Sequence, residues 1–137
     1  MIKFYSKIDK NELLHIVYRL DDIVKFRENI TPEDKYLQVA SIKMSNGHTF
    51  KAHKHIFQER TTDIAQESWI VIRGKVKGIL YDLDDNILAT PILNEGDCSI
   101  TFRGGHNYEC MEDDTIVYEY KTGPYQGVKK DKVFLEK

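Results

Sequence analysis

The chain has 137 residues, of which 41% are hydrophobic and 31% charged, and its formal net charge is −2 at pH 7. This length is sufficient for one globular domain with its own core, so neither a disulfide nor a metal is needed merely to fold it. The charge balance argues against a nucleic-acid-binding surface, and the composition argues against disorder. No apolar run approaches the roughly 20 residues that cross a bilayer, so we expect no membrane partner.

The N-terminal third leaves its secondary structure open. Asp9 and Glu12 fit a capping box at the start of a helix, yet residues 15–18 are rich in β-forming side chains. A short N-terminal segment that is either helical or extended is therefore expected. Further along, Thr31 followed by Pro32 predicts a short helical turn.

From Leu37 onward the sequence predicts short strands separated by turns. Asn46-Gly47 is a strong hairpin signal, because both residue types tolerate a positive φ. The predicted extended runs are, in chain order, 37–44, 48–56, 69–73, 75–83, 87–93, 99–102, 106–111 and 115–120. Strands spaced in this way predict an all-β domain, a barrel or sandwich, spanning residues 1–137. The lack of strand–helix alternation argues against a parallel α/β sheet.

The strongest chemical signal is the pair His53 and His55. Two residues at i and i+2 on a strand point to the same face, and two neutral imidazoles so placed can bind one metal ion. On its own, such a pair is more often structural than metal-binding, so the choice between these two interpretations depends on the surrounding sequence.

The surroundings follow a recognisable order. A glycine and five residues precede the histidine pair, and a glutamate is followed by six residues and a second glycine. A Gly-Asp turn, a strand, a glycine turn and a third histidine come later. The residues that carry this order are Gly47, His53, His55, Glu67, Gly74, Gly96, Asp97, Gly104, Gly105 and His106. The pattern resembles the two motifs of the cupin superfamily and covers about Leu37 to Tyr120.

The resemblance implies a cupin jelly-roll β-barrel that carries one divalent metal ion. Its ligands would be His53, His55, Glu67 and His106, and the metal would be zinc, iron, manganese or nickel. The gap of 11 residues between His55 and Glu67 is longer than the family pattern, and Glu59 at a shorter spacing is the alternative ligand. Glu67 is preferred because it begins a predicted strand, and the spacing from Glu67 to the glycine that ends this strand matches the family pattern. The inserted residues 57–66 would then form a flap at the barrel mouth.

Strand alternation extends the candidate site. Trp69 and Arg73 lie at even distances from Glu67, and Tyr108 lies two residues from His106, so all three are predicted to line a ligand-binding cavity. A guanidinium there would suit an anionic group, such as the phosphate or carboxylate of a sugar. The competing interpretation is that the aromatic side chains fill the barrel and that Arg73 merely ends its strand.

These features predict a metal-dependent enzyme that acts on a small polar, sugar-like metabolite. An isomerase or epimerase is favoured, because small single-domain cupins resemble such enzymes of surface-polysaccharide pathways. An iron-dependent dioxygenase and a non-catalytic metal- or ligand-binding module are the alternatives.

Location and assembly are expectations of the same kind. Cys98 and Cys110 are too few for a disulfide framework, so a reduced, cytoplasmic protein is expected. The resemblance also implies a homodimer, for which the strand face with Ile116, Tyr118 and Tyr120 is a candidate surface.

Overall fold

The computed structural model describes residues 1–136 and consists mainly of β-strands. The strands are β1 (Ile2–Tyr5), β2 (Leu13–Tyr18), β3 (Arg27–Asn29), β4 (Ala40–Ile42), β5 (Glu67–Arg73), β6 (Val76–Tyr81), β7 (Ile87–Ala89), β8 (Ile92–Leu93), β9 (Cys98–Thr101), β10 (His106–Cys110) and β11 (Ile116–Lys121). Within this part of the chain the helices are a 3₁₀ turn at Leu20–Asp22 and α1 at Val128–Asp131. The prediction of an all-β protein with few helices is confirmed. Across residues 1–136, no helix has the length and apolar character needed to cross a membrane.

The strands form three antiparallel groups. The first sheet has five strands in the order β1-β2-β9-β5-β11, and the second has the order β10-β6-β7 with β8 also paired to β6. The strands β3 and β4 form a separate two-stranded hairpin. Closure of these sheets into a barrel is not seen within residues 1–136, so only the coarser all-β class is established.

The two faces of the first sheet have different partners. On the face that we call inner, Val17 and Val71 pack in one cluster with Val76 of β6 and Leu93 of β8, which belong to the second sheet. On the outer face, the buried apolar side chains are covered by the β3–β4 hairpin and its flanking residues. This outer cluster contains Leu13, Ile16, Tyr18, Ile30, Cys98, Ile100 and Phe102.

The ambiguous N-terminal region is extended rather than helical. The peptide N–H of Glu12 donates to the Asp9 carbonyl at 2.9 Å, which closes a turn between β1 and β2. The β-forming residues of β2 then pair with β9, and that tertiary pairing outweighs the local capping signal. The helical turn predicted at Thr31 is a single hydrogen-bonded turn and not a helix: the Lys35 N–H donates to the Pro32 carbonyl at 3.2 Å, while the Thr31 hydroxyl accepts the N–H of Val39 at 3.0 Å.

The connection between β4 and β5, residues 43–66, departs most from the prediction. We call it the connecting segment. The strand predicted at 37–44 is reduced to β4, and the strand predicted at 48–56 is wrong for this chain, because no strand lies within the connecting segment. A strand requires a hydrogen-bonded partner, and none of the described strands lies alongside these residues. The run predicted at 87–93 is split into β7 and β8.

Candidate functional site

A row of polar side chains crosses the inner face of the first sheet. His15 of β2 is paired with Thr101 of β9, and Thr101 is paired in turn with Glu67 of β5. Directly opposed residues on neighbouring strands point to the same face. All three residues are buried, so the sheet presents a polar strip within an otherwise apolar interior.

Glu67 joins the two sheets through a hydrogen bond to His106. Its Oε1 lies 3.0 Å from Nε2 of His106, the first residue of β10 in the second sheet. The same oxygen accepts the indole N–H of Trp69 at 2.8 Å. The predicted register on β5 and β10 therefore brings these three side chains together.

The Glu67 carboxylate is stabilised in its charged form. Burial by itself would raise the pKa of this carboxyl, but the hydrogen bond and charge of His106 and the N–H of Trp69 outweigh it. Lys132 contributes a further attraction, and the pKa of Glu67 is lowered overall. Glu67 is consequently an ionised partner for the imidazole near neutral pH.

The hydrogen bond to Glu67 also sets the state of the His106 ring. An ionised carboxylate only accepts hydrogen bonds, so Nε2 of His106 carries the proton and donates. Within residues 1–136, Nδ1 of His106 has no hydrogen-bond partner. No buried side-chain nitrogen or oxygen is left without a partner in this part of the chain, so Nδ1 is accessible to solvent. In the neutral ring this atom carries the lone pair and is available as a base.

Trp69 and Tyr108 form an aromatic wall beside the pair. Their ring centroids are 4.0 Å apart with an interplanar angle of 15°, and the Tyr108 hydroxyl hydrogen-bonds to Ser99 Oγ at 2.9 Å. Burial raises the pKa of Tyr108, which keeps this residue a neutral phenol. The two rings border a cavity of about 180 Å³ lined by Trp69, Val76, Tyr108, Cys110, Thr115 and Val117.

His15 belongs to this polar strip although the sequence analysis did not select it. It has no solvent exposure; its Nδ1 lies 3.0 Å from Thr101 Oγ1, and its Nε2 lies 2.9 Å from the carbonyl oxygen of Tyr81. The carbonyl only accepts, so Nε2 carries the proton and Nδ1 accepts from the threonine hydroxyl. Burial first, and then the proximity of His106, lower the pKa of His15 to about 4. The sequence signal that could have identified His15 is its position within the apolar run of residues 13–18.

His53 and His55 lie elsewhere, in the exposed connecting segment. Their ring centroids are 5.5 Å apart, and His53 Nδ1 is 3.0 Å from the Lys51 carbonyl oxygen. The alternative ligand, Glu59, is exposed in the same segment. Within residues 1–136, no group of three or more His, Cys, Asp or Glu side chains is placed to hold a metal ion. The four predicted ligands therefore form two separate pairs, and as placed in one chain they do not fit a metal ion.

The placement predicted for Arg73 requires a correction. Arg73 is exposed at the end of β5, and its Nε donates to the carbonyl oxygen of Asp114 at 3.1 Å. It is not among the residues that line the cavity beside Trp69 and Tyr108. The pairing of β5 with β11 shifts register between Val71 and Arg73, so strict alternation does not extend to Arg73, and the strand ends there with the guanidinium exposed. The anionic-ligand expectation loses the residue on which it was based.

A larger cavity, of about 450 Å³, opens away from the Glu67–His106 pair. It contains both signs of charge and none of the predicted site residues. Its lining residues are Glu12, Asp34, Lys35, Tyr36, Asp63, Ile64, Gln66, Phe102 and Arg103.

Comparisons with models of known protein families, with curated proteins and with solved structures found no match. The candidate site is accordingly defined by its own geometry.

Proposed function

We propose that the chain is a cupin-like enzyme that binds a small polar, sugar-like metabolite at the Glu67–His106 pair and isomerises or epimerises it by proton transfer. The observation that supports this proposal best is the 3.0 Å hydrogen bond between Glu67 and His106 Nε2. It orients an imidazole whose other nitrogen, Nδ1, is accessible to solvent. The cupin resemblance and a jelly-roll arrangement remain part of the proposal.

The chemistry follows from the two protonation states of His106. Nδ1 accepts a proton from a carbon next to a substrate carbonyl, and the carbonyl oxygen takes up the electron pair as an enolate. The ionised Glu67 stabilises the imidazolium that forms. Return of the proton to the former carbonyl carbon, with the enediol hydroxyl proton passing to the other oxygen, gives isomerisation. Epimerisation results when a water molecule instead protonates the original carbon from its opposite face, and His106 gives up its proton to solvent. Trp69 and Tyr108 supply the apolar wall that the non-polar face of a sugar requires.

The experiment is hydrogen exchange in deuterated water. The purified protein is incubated with free and phosphorylated keto sugars, and NMR follows deuterium uptake at the carbon next to the carbonyl. Uptake that depends on the protein is expected, and His106→Gln should reduce it by about 10²–10⁴-fold, the range for loss of a general base. Sugar binding without any exchange would instead identify a non-catalytic binding module.

Metal binding by His53, His55, Glu67 and His106 is a second candidate function. Its support is the chemistry of the donors, which would have to come together from two separate pairs: two neighbouring imidazoles on the connecting segment, and a carboxylate with an imidazole between the sheets. These residue types suit a divalent transition metal. A bound metal would supply Lewis-acid polarisation of a substrate oxygen.

Elemental analysis of the purified protein tests this candidate. A stoichiometric metal that is lost in the His53→Ala/His55→Ala variant is expected. Iron would favour the dioxygenase alternative, whereas zinc, manganese or nickel would favour isomerisation. Unchanged metal content in the double variant would reject these two ligands.

A further inference from the structure

The cavity of about 450 Å³ is separate from the proposed catalytic site and shares no lining residue with the cavity beside Trp69. Its volume lies within the range of small-molecule sites, roughly 300–1,000 Å³. Its most buried lining residue is Phe102, which directly follows β9 and is 1% exposed. The other lining residues come from the turn before β2, from residues 34–36, from the end of the connecting segment and from the turn after β9.

Contacts within the chain hold the walls of this cavity in place. Gln66 Oε1 accepts the N–H of Leu37 at 2.9 Å, which ties the end of the connecting segment to the residues beside Tyr36. The hydroxyl of Tyr36 is hydrogen-bonded to the carboxylate of Asp63, and this bond, followed by burial, raises the pKa of Tyr36. The cavity is therefore shaped by the chain itself, as most small-molecule sites are.

The ammonium group of Lys35 lines the cavity with unused hydrogen-bonding capacity. Its side chain is only 17% exposed, and Nζ lies 5.6 Å from the centroid of the Phe102 ring. The carboxylate oxygen beside it, Asp34 Oδ2, is 3.8 Å away, which is too long for a hydrogen bond. No buried side-chain nitrogen within residues 1–136 lacks a partner, so Nζ remains accessible. An ammonium carries three N–H donors, and in a mostly enclosed position these donors favour an acceptor from a ligand.

Two further charged side chains line the cavity without a partner. Arg103 is exposed in the turn between β9 and β10, and Glu12 is half-buried immediately before β2. Neither side chain forms a hydrogen bond or an ion pair within the part of the chain that the structure describes. Of the other two carboxylates in the lining, one lies beside Lys35 and one is bound to Tyr36. The cavity therefore offers free donors from two cations and a free acceptor from one carboxylate.

From this distribution of charge we propose that the cavity binds a free α-amino acid with an apolar side chain. The carboxylate of the ligand accepts hydrogen bonds from Lys35 and Arg103, and its ammonium group donates to Glu12. Its side chain packs against Phe102 and Ile64, the apolar residues of the lining.

The balance of charges favours a zwitterion over a simple anion. Three carboxylates and two cations line the cavity, so a ligand with only negative charge would add to an existing excess. A zwitterion adds no net charge and supplies a partner to both kinds of unpaired group. The Glu67–His106 pair takes no part in this site, so the proposal does not depend on the function proposed for that pair.

Titration of ¹⁵N-labelled protein with L-leucine, followed by NMR, tests the proposal. Saturable shifts are expected at the backbone amides of Glu12, Lys35, Tyr36 and Arg103. L-Leucinamide lacks the carboxylate and N-acetyl-L-leucine lacks the ammonium group, so each should bind about 10–100-fold more weakly, the effect of losing a hydrogen bond to a charged group. Absence of these shifts at millimolar leucine, shifts centred on Trp69 instead, or equal binding of the three compounds would overturn the proposal.

Two variants separate the two ends of the ligand. Arg103→Gln should weaken leucine binding by about 10–100-fold and leave leucinamide binding unchanged, whereas Glu12→Gln should weaken leucine binding and leave N-acetyl-leucine binding unchanged. The control is Arg73→Gln, which removes an exposed guanidinium that lines neither cavity and should leave leucine binding as in the wild type. Unchanged amide positions away from the cavity verify that each variant is folded. Equal losses in the Arg103 and Arg73 variants, or no loss in either, would overturn the assignment of the carboxylate to Arg103.

Discussion

Glu67 retains its charge in a buried position because three nearby groups stabilise the charged form. His106 and Trp69 donate to the same oxygen at 3.0 and 2.8 Å, and the attraction of Lys132 adds to these hydrogen bonds. Hydrogen bonds to charged groups contribute more than neutral ones, on the order of 1.5–3 kcal/mol each. The Trp69 N–H is therefore predicted to have a measurable effect through Glu67.

Trp69→Phe should lower the free energy of unfolding by about 2 kcal/mol at neutral pH, since it removes one charge-assisted donor and part of the aromatic wall. Urea unfolding of the variant and the wild type measures the difference. The lowered pKa of Glu67 means that this stabilisation is present above the usual carboxyl range and is lost as the pH falls through the folded-state pKa. The difference should therefore shrink at acid pH. A difference that does not change with pH would assign the whole effect to lost packing.

His15 gives the fold a pH dependence of its own. Its pKa is lowered from 6.5 to about 4, so between these values the unfolded chain binds a proton that the folded chain does not. Stability therefore falls as the pH decreases from 6.5 toward about 4, by about 3 kcal/mol in total. Above pH 6.5 both states are neutral and this histidine contributes no slope.

His15→Gln isolates that contribution. The amide retains one donor and one acceptor but does not titrate, so the variant should be less stable near pH 7 and show a flatter stability profile between pH 4 and 6.5. Urea unfolding at several pH values in this window measures both slopes. Equal slopes in the two proteins would show that His15 takes up its proton in the folded state as readily as in the unfolded chain.

At the scale of elements, glycine turns fix how closely strands approach each other. Gly104 has φ +84° between β9 and β10, and a Cβ built there would lie 2.6 Å from the carbonyl oxygen of Tyr81. Gly47 has a similar φ of +78°, but a Cβ there would meet nothing within 4 Å. Comparing a substitution at Gly47 with one at Gly104 therefore separates the cost of backbone strain from the cost of steric contact.

Gly47→Ala should cost about 1–2 kcal/mol, the usual penalty for a side chain at positive φ. Gly104→Ala should cost clearly more, because the methyl group also displaces the Tyr81 carbonyl that accepts from His15. Thermal unfolding of both variants measures the comparison. Similar losses in the two proteins would mean that the turn at Gly104 relaxes without disturbing β6.

The same elements show what local sequence patterns could predict. Alternation along β5 and β10 correctly placed Glu67 with Trp69 and His106 with Tyr108, because the strand pairing is regular from Glu67 to Val71 and from His106 to Cys110. The pattern could not reveal that His15 would align with Thr101 and Glu67, since that row depends on strand order rather than on any local spacing.

The failures have the same origin in tertiary structure. The alternation around His53 is that of a strand, but a strand forms only beside a partner, and the described chain provides none for the connecting segment. The alternation that predicted the direction of Arg73 is interrupted by the register shift after Val71, and the side chain is exposed where β5 ends. Sequence periodicity specifies which face a residue occupies, and the extent of the opposing sheet decides whether that face is buried.

At the scale of the whole molecule, Asp97 links the first sheet to the second. Its carboxylate accepts from Arg19 Nη1 at 2.6 Å and from the backbone N–H groups of Leu20 and Asn94 at 3.0 and 2.9 Å. The same Arg19 guanidinium also donates to the carbonyl oxygen of Ile92 in β8. The aspartate of the Gly-Asp turn therefore holds together the ends of β2, β8 and β9, and in this structure its role is architectural.

Asp97→Asn should lower the free energy of unfolding by about 3 kcal/mol, because it leaves the Arg19 charge without its partner and turns an amide N–H₂ toward backbone donors. The matched control is Glu109→Gln. It also removes one carboxylate, but from an exposed pair with Lys77 in which the side chains are 35% and 56% exposed, and it should change stability by less than about 0.5 kcal/mol. Urea unfolding of the wild type and both variants at pH 7 provides the comparison. Equal m-values in the three proteins would show that the differences in midpoint are differences in stability. A small loss in Asp97→Asn, similar to that of the control, would mean that the backbone hydrogen bonds hold the sheets together without the charge.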